Sequence, residues 1–212
     1  MIAPDDKAKT CEDRRTKILK EAANVFNEKG YEGACIDDLI ARVGGSKRTI
    51  YNEFGSKEGL FVAMIETLVS MHAQQLVAGL DADERGEADL RQVLYDHAMH
   101  LMQVVMDPDV LAFQRTIIAE GKRFPKLAEI YYEIGPARSA RRLTEILERH
   151  RERGEIDVAD CRLAVEHFGG LIRDTFFYSV LLGVSEPPPP DEMKRRVTAA
   201  VDLFLNGVAR RG

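Results

Sequence analysis

Apolar residues recur with a helical period along nearly the whole chain, and no stretch alternates apolar and polar positions as a half-buried strand would. The pattern therefore predicts an all-α protein. Ile36, Leu39, Ile40 and Val43 show it most clearly, because their i, i+3, i+4, i+7 spacing places them on one helix face. Glycine, proline and polar clusters bound the predicted helices, at about residues 13–29, 36–43, 46–54, 56–78, 88–106, 109–122, 126–133, 136–153, 159–183 and 191–209.

Several residues mark the ends of these helices. Gly30 suits a left-handed C-terminal cap of the first helix, and Ser56 is a typical N-cap for the fourth. Pro136 is expected to open a helix, and residues 187–190, all proline, form a rigid spacer before the last one.

The segment VGGSKRTIYNEFGSKEGLF, residues 43–61, joins two short predicted helices through the tight turn Gly44-Gly45. Three helices whose last two meet at such a turn match the helix-turn-helix plan, in which the second helix of the pair enters the major groove of DNA. Hydroxyl, amide and basic side chains on the first turns of that helix can donate to phosphate oxygens. They are Ser46, Lys47, Arg48, Thr49, Tyr51 and Asn52.

Composition restricts the class of protein further. The 212 residues carry a net charge of -5, and residues 1–60 are balanced, with 11 Lys or Arg and 11 Asp or Glu. Any DNA binding therefore needs basic groups gathered on one face. Three widely spaced cysteines without a CxxC favour a reducing cytoplasm over a disulfide framework or a zinc site. The N-terminus lacks a signal-peptide core and no run of apolar residues is long enough to span a membrane, so we expect a cytoplasmic protein without membrane association.

Other chemistry that glycine, serine and lysine could provide fails on spacing. A phosphate-binding P-loop needs GxxxxGK[ST], and the nearest approach, TIIAEGKR, lacks the first glycine and the final hydroxyl. The sequence contains no GxSxG, GxGxxG or HExxH, and no set of nucleophile, base and orienting residue. We therefore expect neither an enzyme nor a cofactor.

The stretch RTKILKEAANVFNEKGYEGACIDDLIARVGGSKRTIYNEFGSKEGLF resembles the N-terminal domain of the TetR family of bacterial transcriptional regulators. The resemblance covers about residues 15–61. Its most specific part is the run from Gly44 through Ser46, Thr49 and Tyr51 to Phe54, followed by Ser56, Lys57, Glu58 and Leu60.

The resemblance implies a role for each matching polar residue. Phosphate contacts fall on Thr49, Tyr51 and Lys57, whereas reading of base edges falls on Lys47, Arg48 and Asn52. A cation at a helix start, a long rigid hydroxyl and a guanidinium that can fork onto guanine suit these roles.

This copy departs from the family pattern at three places. Ala34 and Cys35 stand where two hydroxyl residues usually cap the second helix, so a cap of about 1 kcal/mol is expected to be missing. Gly45 replaces an apolar turn residue. Glu53 stands where His or Tyr is common, and its carboxylate would repel DNA unless it is paired, for instance with Lys57.

Residues 115–147 resemble the C-terminal domain of AefR-like members of the family, which implies a pocket between helices for a small-molecule effector. Bulky apolar and polar-tipped residues near the middle of this region are candidates for its lining, although plain core is the simpler interpretation of any one of them. These are Met99, Met102, Met106, Phe113, Ile117, Tyr131, Phe168, Ile172, Phe176 and Phe177. His97 and His100 share a helix face, but no further ligand motif accompanies them, so we expect no metal site.

The last two long predicted helices carry apolar residues on more than one face, which indicates one face in the core and one against a second subunit. The resemblance implies a four-helix homodimer interface there. The candidate residues are Leu171, Val180, Leu181, Val197, Val201, Phe204, Leu205 and Val208.

The sequence thus predicts a helix-turn-helix DNA-binding domain over residues 1–57 and a helical effector-binding and dimerisation domain over residues 58–212. The expected function is that of a ligand-responsive transcriptional regulator, a repressor that binds a pseudo-palindromic double-stranded operator as a homodimer and is released by an effector. The alternative is a small-molecule binding protein whose helix-turn-helix no longer reads DNA.

Overall fold

The computed structural model describes the backbone of residues 4–67 and 89–208, and the side chains of residues 14–67 and 89–207. These residues divide into two compact units, of which the first comprises 4–67 and 112–134 and the second 89–111 and 135–208. Each unit has its own apolar core. All regular elements in the described ranges are helical, which confirms the predicted fold class.

The helices follow one another with short connections. They are α1 (Pro4–Gly33), α2 (Ile36–Val43), α3 (Lys47–Phe54), α4 (57–67), α5 (Leu90–Val105), α6 (Pro108–Glu120), α7 (Pro125–Tyr132), α8 (Arg138–Glu152), α9 (Cys161–Ile172), α10 (Thr175–Leu181) and α11 (Pro190–Val208), with a π-helical turn at Glu133–Ala137. Within the described ranges, no helix is both long and apolar enough to span a membrane.

An aromatic cluster fills the core of the first unit. Phe61 of α4 is fully buried, and its ring centroid lies 5.2 Å from that of Phe26 on α1, 5.1 Å from that of Tyr31 and 5.2 Å from that of Phe113 on α6. Burying a ring of this size contributes about 1.5–3 kcal/mol, and offset or edge-on ring pairs add to that. The cluster therefore fixes α1, α4 and α6 as one body.

The second unit packs α11 against α5 and α9, and α8 against α9. Phe168 of α9 and Phe204 of α11 meet in this core with ring centroids 4.9 Å apart. The helices thus form a bundle whose buried apolar stripes face one another, as their helical period predicted.

Three predicted helix boundaries need correction. The first helix begins at Pro4 rather than near Asp13, since proline suits a first turn and no breaker follows it. Gly30 does interrupt that helix, with φ +70 and ψ 169, although it is not its last residue. Pro136 does not open a helix but lies inside the π-helical turn. The predicted end of the fourth helix near Ala78 lies outside the described residues.

The helix predicted over residues 159–183 is two helices, broken at Arg173 and Asp174. Asp174 Oδ1 accepts hydrogen bonds from the backbone N–H groups of Phe176 (2.9 Å) and Phe177 (3.2 Å), so this residue is the N-cap of α10. Its other oxygen pairs with Arg196 at 3.1 Å. An aspartate at such a position favours a new helix start over a continuous helix, and the long apolar run had hidden it.

Candidate DNA-binding surface

Helix α3 begins with a well-formed cap. Ser46 Oγ accepts a hydrogen bond from the backbone N–H of Thr49 at 3.2 Å, and the two hydroxyls lie 3.0 Å apart. Gly44 and Gly45 shape the preceding turn with φ of +73° and +97°, values that residues with a Cβ rarely adopt. The sequence therefore specifies where the helix starts and how it leaves the turn.

Two apolar anchors, Ile50 and Phe54, hold one face of α3 in the core of the first unit. On the other faces, the predicted DNA-contact residues Ser46, Lys47, Arg48, Tyr51 and Asn52 are exposed, and Thr49 is half-buried. Tyr51 is 45% exposed despite its large ring. The helix thus presents a polar surface of the composition that phosphate and base-edge contacts require.

Lys47, a predicted base-reading residue, pairs with a carboxylate on α2. Its Nζ lies 2.7 Å from Asp37 Oδ2, and this hydrogen bond raises the pKa of Lys47. Both side chains are largely exposed, so the pair contributes little to stability. The ammonium group of Lys47 is therefore charged and already bound to Asp37, so DNA must compete with Asp37 for it.

Lys57, a predicted phosphate contact at the start of α4, connects two helices. Its Nζ donates to the backbone carbonyl of Glu32 at 3.1 Å and lies 4.7 Å from the centroid of the Tyr31 ring. Partial burial lowers the pKa of Lys57. One ammonium hydrogen is thus used within the protein, which fixes the direction in which the others point.

The cap expected to be missing from α2 is supplied from within the helix. Asp38 Oδ2 accepts from the backbone N–H of Cys35 at 3.2 Å and from its thiol at 3.0 Å. Lys29 Nζ lies 2.6 Å from the other oxygen. These bonds, led by that from the thiol, lower the pKa of Asp38 to about 2. The capping signal was an acidic residue at the third helical position, which sequence reasoning overlooked.

Glu53 is paired, as its compatibility with DNA requires. Its Oε1 accepts from Arg15 Nη1 of α1 at 3.0 Å. The guanidinium carbon of Arg15 also lies 4.8 Å from the centroid of the Phe54 ring. The partner is therefore an arginine of α1 rather than Lys57, the partner that the sequence suggested.

The corner between α6 and α7 packs against α1 and α4 within the first unit. Arg123 pairs with Glu32, and Lys126 Nζ lies 2.7 Å from Glu58 Oε1. The rings of Tyr31 and Phe124 meet edge-on with centroids 4.9 Å apart. Since Tyr31 also contacts Lys57, this corner is joined to the residues that support α3 and α4.

Gly59 permits the close approach of α4 to the end of α3. A Cβ at this position would lie 2.0 Å from the carbonyl oxygen of Phe54, a distance that no side chain tolerates. Nothing in the apolar pattern identified this glycine as a packing requirement, because the contact is with backbone at a helix end.

The ten predicted pocket residues divide between the two cores. Phe113, Ile117 and Tyr131 belong to the core of the first unit, whereas the core of the second unit contains Met99, Met102, Met106, Phe168, Ile172, Phe176 and Phe177.

The second unit also contains a buried polar side chain. His97 is 5% exposed, and its Nε2 is 3.3 Å from Ser139 Oγ. Burial, with a smaller effect of His100, lowers the pKa of His97 to about 4.

Five of the predicted dimer-interface residues are buried in the core of the chain itself. They are Val180, Leu181, Val197, Val201 and Phe204. The chain's own helices already cover most of the surface of these five side chains, and their place in a subunit interface stays a prediction. Leu171 and Leu205 are half-buried, and the side chain of Val208 lies outside the described residues. Large apolar side chains on the same helices and their connections are instead exposed: Leu163, Tyr178, Leu182, Val184 and Leu203.

A two-unit helical protein whose first unit presents a helix-turn-helix has the architecture of a DNA-binding regulator. Comparison with protein families agrees. Residues 18–64 match the family described as bacterial regulatory proteins, tetR family, and residues 92–207 match the AefR-like transcriptional repressor, C-terminal domain. The chain belongs to the TetR family.

Individual relatives support this membership. The transcriptional activator FasR of Mycolicibacterium smegmatis is 35% identical over 83 residues, which cover 39% of this chain and 36% of that protein. The chain spans little more than a third of the length of this and similar curated relatives. Solved structures match over far more of the fold. A candidate TetR-family regulator from Mesorhizobium loti has a TM-score of 0.79 at 26% identity, covering 94% of this chain and 98% of the other. The flavonoid-responsive regulator FrrA has a TM-score of 0.75 at 27% identity, with 95% and 100% covered.

Proposed function

We propose that this chain regulates transcription by binding a double-stranded DNA operator through α3, with residues 1–57 as the DNA-binding domain. The observation that carries the proposal is the arrangement of α3 itself: Ile50 and Phe54 anchor the helix while its polar residues remain exposed. In this assignment Arg48, Lys47 and Asn52 read base edges, and Thr49, Tyr51 and Lys57 bind phosphates. Ser46 caps the helix and offers its hydroxyl to the same phosphates.

The regulator acts as a homodimer in this proposal. The exposed apolar side chains of α9, α10, α11 and their connections would be covered by the same surface of a second copy, an isologous contact that gives one helix-turn-helix per half-site. Leu182, Val184 and Leu203 are each more than 60% exposed, and large exposed apolar groups favour burial in an interface. Leu171 and Leu205 would lie at its margin.

Residues 58–212 are proposed to bind a small, largely apolar effector that releases the DNA. The methionine and phenylalanine side chains of the second core suit such a ligand, because methionine adapts to the shape of its partner. Effector binding would favour an arrangement in which the two recognition helices no longer match successive major grooves. The match to an AefR-like repressor domain favours repression over activation of transcription. The flavonoid response of FrrA makes flavonoids the first effectors to test.

Titration into labelled DNA tests the proposal. Fragments from upstream of the chain's own gene would be compared with a random duplex by fluorescence anisotropy, across a salt series. We expect at least one fragment to bind at least a hundredfold more tightly than the random duplex. Equal affinity for every fragment and the random duplex would favour the alternative of a binding protein with a degenerate helix-turn-helix.

The effector is tested on the same complex. A panel of flavonoids added to the protein bound to its preferred fragment should release the DNA, and the concentration needed should not depend on which fluorophore labels the duplex. Release by no member of the panel would remove flavonoids from consideration and leave the DNA-binding proposal intact.

A further inference from the structure

Two arginines of α1 lie at opposite ends of α3, and each meets one of the residues at which this chain departs from the family pattern. Arg14 lies over the turn before α3: a Cβ added to Gly45 would be 3.0 Å from its Nη2. Arg15 lies at the last turn, where it donates to Glu53 at 3.0 Å. Helix α1 therefore brings two cations to the recognition helix, one beside Gly45 and one bound to Glu53.

Gly45 leaves room for the guanidinium of Arg14. The glycine has φ +97, and a side chain there would be both strained and in contact with Nη2. The missing apolar side chain thus allows Arg14 to cover the turn that leads into α3.

Glu53 orients the guanidinium of Arg15 from a second direction. The guanidinium thus has two neighbours, the carboxylate of Glu53 and the ring of Phe54, whose centroid lies 4.8 Å from the guanidinium carbon. Arg15 nevertheless remains 46% exposed. A guanidinium has five N–H donors in a fixed fork, so most of them remain available for acceptors outside the protein.

The two arginines meet the recognition helix at its two ends, because Gly45 precedes α3 and Glu53 lies in its last turn, and eight helical residues rise about 12 Å. The chain as a whole is acidic and its first 60 residues are charge-balanced, so phosphate binding depends on local placement of cations rather than on an overall excess.

We propose that Arg14 and Arg15 bind DNA phosphates at the two ends of the recognition helix, that Glu53 positions Arg15, and that Gly45 leaves room for Arg14. The proposal rests on DNA binding by α3 and adds two phosphate contacts that the helix-turn-helix itself does not contain. Glu53 is a positioning residue: its hydrogen bond orients Arg15 toward phosphate. Its negative charge also repels phosphate, which reduces the net gain in DNA affinity.

The experiment measures binding to a mixed-sequence 30-base-pair duplex by anisotropy between low and moderate salt. Arg14→Ala and Arg15→Ala should each weaken binding about tenfold at low salt and reduce the slope of log affinity against log salt by about 0.9. Arg162→Ala is the matched control, because Arg162 is an exposed arginine paired to Glu166 on α9 of the second unit. It should leave the slope unchanged. A wild-type slope in both α1 variants overturns the proposal.

A second pair of variants isolates the positioning role of Glu53. Glu53→Gln keeps a hydrogen-bond acceptor for Arg15, whereas Glu53→Leu removes it, and both remove the negative charge. We expect the Gln variant to bind duplex at least threefold more tightly than the Leu variant, and the two to bind equally in an Arg15→Ala background. Equal binding in the presence of Arg15 overturns the positioning role.

The outcomes separate this proposal from the proposed function. Loss of slope in the Arg14 and Arg15 variants, with no preferred fragment for the wild type, would support the phosphate contacts and contradict operator recognition. If the wild type prefers one fragment but the Arg14 and Arg15 variants keep its salt slope, operator recognition is supported and the phosphate contacts are contradicted. Failure of the wild type to bind any duplex would contradict both.

Discussion

At the scale of single residues, Cys35 shows how a departure from a pattern can be compensated locally. A thiol is a weak hydrogen-bond donor, and it is not among the preferred N-caps. Here Asp38 reaches back to both the backbone N–H and the thiol of Cys35, so the start of α2 is capped without the usual hydroxyl. The thiol remains inferior to the hydroxyl that it replaces, because sulfur accepts a hydrogen bond from the first-turn N–H groups more weakly than a hydroxyl oxygen does.

Restoring that hydroxyl should therefore stabilise the protein. Cys35→Ser is expected to raise the free energy of unfolding by about 0.5–1 kcal/mol, measured by urea denaturation. Ser46→Ala, which removes the working cap of α3, provides the opposite control and should lower it by about 1 kcal/mol. A Cys35→Ser protein that is less stable than the wild type would show that the thiol packs in a way that serine cannot replace.

His97 makes a second prediction at this scale, about pH. Burial lowers its folded pKa to about 4, whereas in the unfolded chain it titrates near 6.5. Between these values the unfolded state binds the extra proton, so stability falls as the pH is lowered through 6.5 toward 4. This group alone should cost about 2 kcal/mol between pH 7 and pH 5.

The measurement compares urea unfolding of the wild type and of His97→Gln at both pH values. The variant should lose clearly less stability on acidification than the wild type, because glutamine does not titrate. If both proteins lose the same free energy of unfolding between pH 7 and pH 5, the burial of His97 does not make the stability of the fold depend on pH.

At the scale of helices, the corner between α6 and α7 shows which kind of contact joins elements of the first unit. The Arg123–Glu32 pair is largely exposed, and exposed ion pairs contribute less than about 1 kcal/mol. The ring of Phe124 packs edge-on against Tyr31 and partly covers the aromatic cluster. Apolar burial should therefore dominate the attachment of this corner.

Single substitutions at the corner test this ranking. Phe124→Ala should lower the free energy of unfolding by about 2 kcal/mol, and Arg123→Ala by less than about 1 kcal/mol. Denaturation of both variants under identical salt gives the comparison. A larger loss for Arg123→Ala would indicate that the corner is attached by charge.

The sequence predicted the helices well where a single signal dominated. The apolar stripe and the Gly44-Gly45 turn placed α2 and α3 almost to the residue, and Ser46 was recognised at the helix start. The prediction failed where signals conflicted. Apolar residues on both sides of Arg173 and Asp174 suggested one continuous helix and concealed the cap Asp174. Pro136 was interpreted as a helix start because π-helical turns leave no sequence period.

The candidate surface was predictable only in part, because a pattern names residues and not their partners. The exposed residues of α3 follow from helical spacing, but the ion pair of Lys47 with Asp37 and that of Glu53 with Arg15 depend on how α1, α2 and α3 pack. In the same way, apolar periodicity identified Val197 and Val201 as members of a buried face, but it could not tell a core from a subunit interface.

At the scale of the whole molecule, the exposed apolar side chains of the second unit make a prediction about assembly. Leu203 on α11 is 61% exposed, and in the proposed homodimer it is covered by the second copy. Leu203→Glu would place a charge in that contact and should convert dimers to monomers in sedimentation experiments. Ile118→Glu is the matched control, since Ile118 is 67% exposed on α6 in the first unit. A dimer that persists in Leu203→Glu would place the interface elsewhere.

The central claim is that α3 reads DNA sequence. Selection of bound duplexes from a random library tests it most directly, with wild type and Arg48→Ala analysed in parallel. The wild type should enrich an inverted repeat with half-sites about one helical turn apart or a multiple of this, and Arg48→Ala should lose preference at one base pair of each half-site. Absence of any enriched sequence for the wild type, or an identical enriched sequence for the variant, would contradict this account of α3.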